Sequence, residues 1–153
     1  MKNKSKSKIF RLTREVVFTE NIVKDINELL EVLSPGKGKS INITRLQKLV
    51  GHPFLEIHVI EVAGKVSGMA SLHLMEVMDK TVARIEDVVV HPKHQGKGLG
   101  KKIMSHVIGR AKKKGIVSIE LTSNPKRAAA NKLYQKLKFK PRETNVYRLK
   151  LKK

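Results

Sequence analysis

One twenty-residue stretch, Ile85 to Met104, restricts what this chain can fold into more than any other. It opens with Glu86 and Asp87 and an unbroken β-branched run, Val88-Val89-Val90, which reads as a buried strand. A polar loop, His91 to His94, breaks the run at Pro92, and glycines then occupy every second position, Gly96, Gly98 and Gly100. From there the period becomes helical. Leu99, Ile103, Met104, Val107, Ile108 and Ala111 share one face, with Lys101, Lys102, Ser105, His106 and Arg110 largely opposite. A strand that feeds a glycine loop opening a helix leaves backbone N–H groups at the positive helix end, which is a cradle for an anion. Glycine also removes the Cβ atoms that would hold a phosphate off the backbone.

Two familiar glycine motifs do not fit. The dinucleotide fingerprint requires a third glycine where this chain has Lys101, although Glu120 lies near the expected acidic position. The phosphate loop of nucleotide hydrolases requires Ser or Thr after Gly-Lys, and Gly100-Lys101 is followed by Lys102. Gly38-Lys39-Ser40 fails too, because Leu33 stands where the leading glycine belongs. The segment Gln95-Gly96-Lys97-Gly98-Leu99-Gly100 instead resembles the acetyl-CoA loop, Gln/Arg-x-x-Gly-x-Gly/Ala, of the GCN5-related N-acetyltransferases. A second motif points the same way. Asn131-Lys-Leu-Tyr134-Gln-Lys-Leu-Lys-Phe139 is similar to that family's Asn-x-x-Tyr-x-x-x-Gly-Phe segment, with Lys138 replacing the glycine. That position is commonly left-handed, so a strained or shifted turn is expected there. The resemblance extends over residues 9–151.

A chain of 153 residues with 40% apolar content predicts one domain, residues 9–153, behind a basic disordered arm, residues 1–8. With no cysteine, disulfides and thiolate metal sites are excluded, and the six histidines show no metal spacing, so no metal is expected. No apolar run is long enough for a membrane span and the first residues are too polar for a signal peptide, so no membrane partner and a cytoplasmic location are expected. The net charge of +20, from 33 basic against 13 acidic residues, invites a nucleic-acid reading. Against it, the lysines are scattered and outnumber the arginines, and aromatic residues are only 4%, too few for base stacking. A solvated cationic surface that draws in a polyanion such as coenzyme A, with no specific nucleic acid, is the expectation.

In order, Ile9 to Leu12 reads as an edge strand, and Thr19 as the cap of a helix carrying Ile22, Val23, Ile26, Leu29, Leu30 and Leu33. Asn42 or Thr44 caps a second helix ended by Gly51 and Pro53. Strands follow from Phe54 to Val62 and from Val66 to Leu74, joined at Ala63-Gly64-Lys65, with Gly68 marking a bulge or close approach. After the central strand and the long helix, Gly115 stops the chain. A short buried strand, Val117 to Leu121, should pair parallel to the central one. A helix from Lys126 to Leu137 and a final strand pair, with Tyr147, Leu149 and Leu151 alternating, complete an α+β fold. Its expected form is a mixed, mostly antiparallel sheet with a central, splayed parallel pair flanked by helices.

The resemblance implies an N-acetyltransferase in which an amine attacks the acetyl thioester directly. Tyr134 would then protonate the leaving thiolate, a role its phenol suits, unless it is simply packed on the helix's apolar face. Glu86 would accept the amine proton through water, or bind the ammonium, or pair with Arg84. The acetyl-CoA cosubstrate is expected along Val88, Val89 and Val90, with pyrophosphate on Gln95, Gly96, Lys97, Gly98, Leu99, Gly100 and Lys101. Asn124 and Asn131 are candidates for the pantetheine arm, Asn124 being equally a helix cap. Asp87 and Arg148 are candidates for acceptor binding, and residues 34–45 for acceptor specificity. The run Ile85 to Val90 with Arg148 also looks like glucosamine-6-phosphate N-acetyltransferases, although Thr122 stands where those usually carry an acid. The acceptor is therefore read as a small-molecule amine, an amino-sugar phosphate among the candidates. A protein lysine or N-terminal acetyltransferase and a non-enzymatic nucleic-acid-binding module are the alternatives, and a homodimer is compatible with the sequence.

Overall fold

The computed structural model describes residues 6–16 and 19–152, most of the expected arm lying outside them. The chain falls into two compact units, Met1–Thr122 and Ser123–Lys153.

The first unit is built on a five-stranded sheet in chain order, β1 (Ser7–Arg11), β2 (Leu55–Val62), β3 (Lys65–Val77), β4 (Lys80–Val90) and β5 (Ile119–Glu120). The first three pairings are antiparallel and the last is parallel. The edge strand takes in Ser7 and Lys8, both assigned above to the arm. Ala63 and Gly64 carry φ of 49° and 76°, the double left-handed turn whose twist matches the strands it joins. Where β2 meets β3 the register slips after Ile60, leaving Ser67 as an extra residue. Gly68 is needed beside that slip. A Cβ there would stand 2.8 Å from Ile60 and 3.1 Å from the Val89 carbonyl oxygen.

Three helices cover the sheet: α1 (Glu20–Leu33), α2 (Ile43–Val50) and α3 (Leu99–Lys113). Thr19 caps α1 by accepting from the Ile22 N–H, and Asn42 caps α2 by accepting from the Arg45 N–H at 2.8 Å. Leu55, Ile57 and Val59 of β2 pack with Val23, Ile26 and Leu29 of α1 and Leu46 of α2 in one core. The alternate residues Glu56, His58 and Ile60 are just as buried, so β2 is covered on both faces. The buried Asp25 of α1 accepts from the Val66 N–H at 3.0 Å, which fixes that helix to the start of β3.

Two sequence expectations need correction. The strand after α3 is two residues long and half exposed, not buried, because it closes the described sheet. Residues 139–152 contain no strand, so the parallel pair ends the sheet instead of lying at its centre. The alternation of Tyr147, Leu149 and Leu151 was real, but a strand needs a ladder partner and Pro141 lacks an N–H to donate to one. Those three side chains are exposed. The second unit is organised by α4 (Ala128–Lys136), two residues shorter at its start than expected. Among the described residues no helix is long and apolar enough to cross a membrane.

Candidate active site

β4 arrives at the site irregularly. Its pairing with β3 matches Ser71 to Glu86 but Met69 to Val89, so Asp87 and Val88 face a single residue of β3. This is a β-bulge, and Asp87 takes a left-handed φ of 55° within it. One extra residue reverses the strict face alternation on which the opposed directions of Glu86 and Asp87 were predicted. The Asp87 carboxylate instead accepts from the Ser71 hydroxyl at 3.4 Å. Glu86 is half-buried and ion-paired to the Nε of Arg84, whose Nη2 donates to the Thr122 hydroxyl at 3.2 Å. Of the three readings open for Glu86, its pairing with Arg84 is realised. The parallel ladder holds at Ala83 and Arg84 and stops there, so Ile85 to Val90 run on beyond the end of β5.

Past Val90 the loop is fixed by short-range bonds. The His91 N–H donates to the Ser67 carbonyl at 2.8 Å, tying the loop to the slip in β3. Pro92 to His94 form one 3-10 turn. The Gln95 side chain then reaches back, its Nε2 donating to the Val90 carbonyl at 2.9 Å. Gly96 and Gly98 have φ of 74° and 81°, where a side chain would be strained. A Cβ on either would meet no atom within 4 Å, so the glycines are required by backbone shape and leave open space above the chain. No side chain caps α3, and its first helical bond is Lys102 N–H to Gly98 carbonyl at 3.0 Å. The N–H groups of Leu99, Gly100 and Lys101 therefore stand at the helix entrance with no place in the ladder. Such a surface fits a pyrophosphate, and no acidic residue occupies the first turn.

The second unit assembles the other candidates. Asn124 Oδ1 accepts from the Lys126 N–H at 2.9 Å and its carbonyl from Asn131 Nδ2 at 3.0 Å, so the two asparagines meet across the turn into α4. Tyr134 is buried, with the Phe139 ring edge-on at 6.1 Å between centroids. Burial pushes its phenol above the usual value, with Arg127 pulling weakly the other way, so it holds its proton at neutral pH. Lys138 has φ of 71°, the left-handed turn expected where the related motif has glycine. Arg148 lies exposed on the strandless tail. No group of histidine and carboxylate side chains able to hold a metal occurs among the described residues.

A family model described as Acetyltransferase (GNAT) family matches residues 23–139, from α1 through the turn at Lys138 and including both motifs. The chain belongs to the GNAT family. The L-methionine sulfoximine/L-methionine sulfone acetyltransferase of Salmonella typhimurium is 36% identical over 94 residues, 61% of this chain and 53% of that protein. The chain spans about half to three fifths of three of the curated relatives it matches and about a quarter of several amino-acid acetyltransferases. An aminoglycoside acetyltransferase from an uncultured soil metagenomic sample, crystallised with trehalose, superposes with a TM-score of 0.78 at 24% identity, over 96% of this chain and 97% of that one. Glucosamine-6-phosphate N-acetyltransferase from Arabidopsis thaliana gives 0.71 at 20% identity, over 94% and 98%. At those identities the structures share the GNAT fold.

Sequence reasoning missed the bulge and the bond from Arg84 to Thr122. It did offer the Arg84–Glu86 pairing, because residues two apart on one strand share a face. The bulge had no local signal, because it is a mismatch between two strands.

Proposed function

We propose that this GNAT chain transfers the acetyl group of acetyl-CoA to the primary amine of a small molecule by direct attack. The observation that carries the reading is the uncapped start of α3 behind two left-handed glycines, which matches a pyrophosphate in shape and sign. Acetyl-CoA supplies an activated thioester; the chain's part is to hold it, free the amine of its proton and return one to the sulfur. Residues Gln95 to Lys101 hold the pyrophosphate, and the β4 segment Val88 to Val90, beyond the reach of β5, receives the pantetheine arm. Asn124 and Asn131 serve the same arm. Tyr134, protonated at neutral pH, gives its proton to the thiolate. Glu86 accepts the amine proton through water, with Arg84 fixing its carboxylate. Asp87 attracts the ammonium form of the acceptor. The family match runs across both compact units, which supports one acetyltransferase domain.

For the acceptor, a relative whose name specifies methionine derivatives supports an α-amino acid. An amino-sugar phosphate, suggested by the Ile85 to Val90 run and Arg148, is the second candidate. The test is kcat/KM, read by thiol release from acetyl-CoA, for methionine sulfone, glucosamine-6-phosphate, a polyamine and a lysine peptide, in wild type and Arg148→Ala. A small anionic amine should be preferred. A peptide preference unchanged by Arg148→Ala would move the assignment to a protein-directed enzyme.

A further inference from the structure

Away from the glycine loop, the C-terminal half of α3 and the β1–β2 edge enclose a cleft of about 570 Å³ that the acetyl transfer does not use. That volume lies within the range of small-molecule sites. His58, 1% exposed, lines the cleft, and behind His58 at 3.1 Å lies a buried carboxylate, Glu56, 2% exposed. Glu56 accepts from Arg110 Nη2 and Nε, both at 2.9 Å, and is ion-paired to Arg11 and Lys114, each at 3.2 Å. Lys113 also lines the cleft. Arg11, Arg110 and Lys114 thus share a single carboxylate, and with Lys113 on the cleft wall these groups carry an excess of three positive charges.

Two further features suit a ligand. The Nε of Arg11 is buried with no hydrogen-bond partner, an uncommon and costly state for a charged group's donor. Gly109 lines the same cleft from the middle of α3, where glycine costs about 1 kcal/mol against alanine. A Cβ there would touch nothing within 4 Å, so packing does not call for the glycine; it keeps the wall open.

The histidines complete the site with a defined protonation pattern. Ionised Glu56 can only accept, so His58 Nε2, 3.1 Å away, carries a proton and donates it. Neutral His58 then accepts at Nδ1, and His106 Nε2, 3.1 Å away, is the donor. That leaves His106 Nδ1 as the one ring nitrogen of the pair that can gain a proton without breaking the chain. Burial, Lys113 and Arg110 all lower the His106 pKa, so the ring is neutral at pH 7 unless negative charge enters the cleft.

We propose that this cleft is a binding site for a small dianion of the phosphate class, free or as a phosphomonoester, held by Arg11, Arg110 and Lys113, with a proton taken up on His106 as the anion binds. The groups facing His106 are Arg110 and Lys113 on its own helix, Glu56 and His58 on β2, and Arg11 on β1. The site is independent of the acetyl-CoA reading and stands or falls without it.

The test is a titration of the full chain with sulfate, which stays dianionic across the range, and with inorganic phosphate, followed by imidazole NMR. The His58 and His106 signals report the cleft, and those of His91 and His94 report the glycine loop. The expected result is a saturable shift at His58 and His106, with sulfate affinity rising as pH falls from 8 to 6. Lys113→Glu, at a residue with no carboxylate partner to lose, should weaken it about tenfold or more. His106→Gln, which keeps an amide donor toward His58, should retain binding and lose the pH dependence. Shifts confined to His91 and His94, or an affinity unchanged in Lys113→Glu, would overturn the proposal. Binding that never depends on pH would overturn the proton uptake.

Discussion

The two ends of α3 are finished in opposite ways. At its start, Gly98 caps the helix with no side chain, and three N–H groups are left to the space above the loop. At its end, the Ile116 N–H returns to the Ala111 carbonyl at 3.1 Å and the Gly115 N–H to the Lys112 carbonyl at 3.0 Å. With Gly115 left-handed at φ 73°, this is a closed Schellman cap, and Lys114 beside it is ion-paired to buried Glu56. One end is satisfied by the chain itself, whereas the other has no side-chain cap and is the end proposed above to receive a pyrophosphate. On the proposed function, the difference separates groups that hold the fold from groups that bind the cosubstrate. Substitutions at the closed end and in the core should change stability, and those on the open side should change turnover or binding alone.

The largest effect should come from Tyr134→Phe, with kcat lower by a factor of about 10² to 10⁴ and the acetyl-CoA Kd nearly unchanged. Steady-state kinetics beside calorimetry decide it, and unchanged turnover would make Tyr134 a packing residue.

On the closed side, Glu56→Ala should cost about 3 kcal/mol in urea unfolding, since it strands the buried His58 and leaves three cations together. The pH dependence follows from the same pair. Burial would raise the Glu56 pKa, but hydrogen bonds from Arg110, Lys114 and His58 override it and hold the value at about 2. Burial lowers His58 to about 4 against the opposing pull of Glu56. Both folded values lie below the unfolded ones, so both contributions are complete at pH 7 and are lost on acidification. The His58 part should fade between pH about 6.5 and 4, and the Glu56 part between about 4.5 and 2. Stability that does not fall between pH 7 and 4 would contradict the neutral, buried His58.

Gly68→Ala should be smaller, about 1 to 3 kcal/mol, because the added Cβ must displace Ile60 and the Val89 backbone. Gly115→Ala should cost about 1 kcal/mol, from φ alone, since a Cβ there meets nothing. Equal losses in the two variants would mean that β3 yields at Gly68 without strain.

What the sequence made legible was short-range. The strand, glycine loop and helix from Val88 to Ala111 could be read from a change of period, the Ala63-Gly64 hairpin from its turn residues, and the stop at Gly115 from helix-end chemistry. Lys138 was left-handed as its position implied. Hidden features were those that depend on a distant partner. The bulge at Asp87 is set by what β3 places opposite. Glu56 and His58 alternate with Leu55 and Ile57, a pattern that ordinarily sends charged residues to solvent, yet both are buried because α3 brings Arg110 and His106 from 54 and 48 residues away. The tail failed in the reverse sense, its alternation present and its partner strand missing.

The central claim is that the open end of α3 receives the pyrophosphate of acetyl-CoA, and calorimetric titration of acetyl-CoA into wild type and Gly98→Val tests it most directly. Wild type should bind at one site per chain and rise in Tm by mass action. The variant should stay folded and lose detectable binding, because its new side chain fills the space above the loop and strains the left-handed backbone there. Equal affinity in a folded Gly98→Val protein would contradict the assignment.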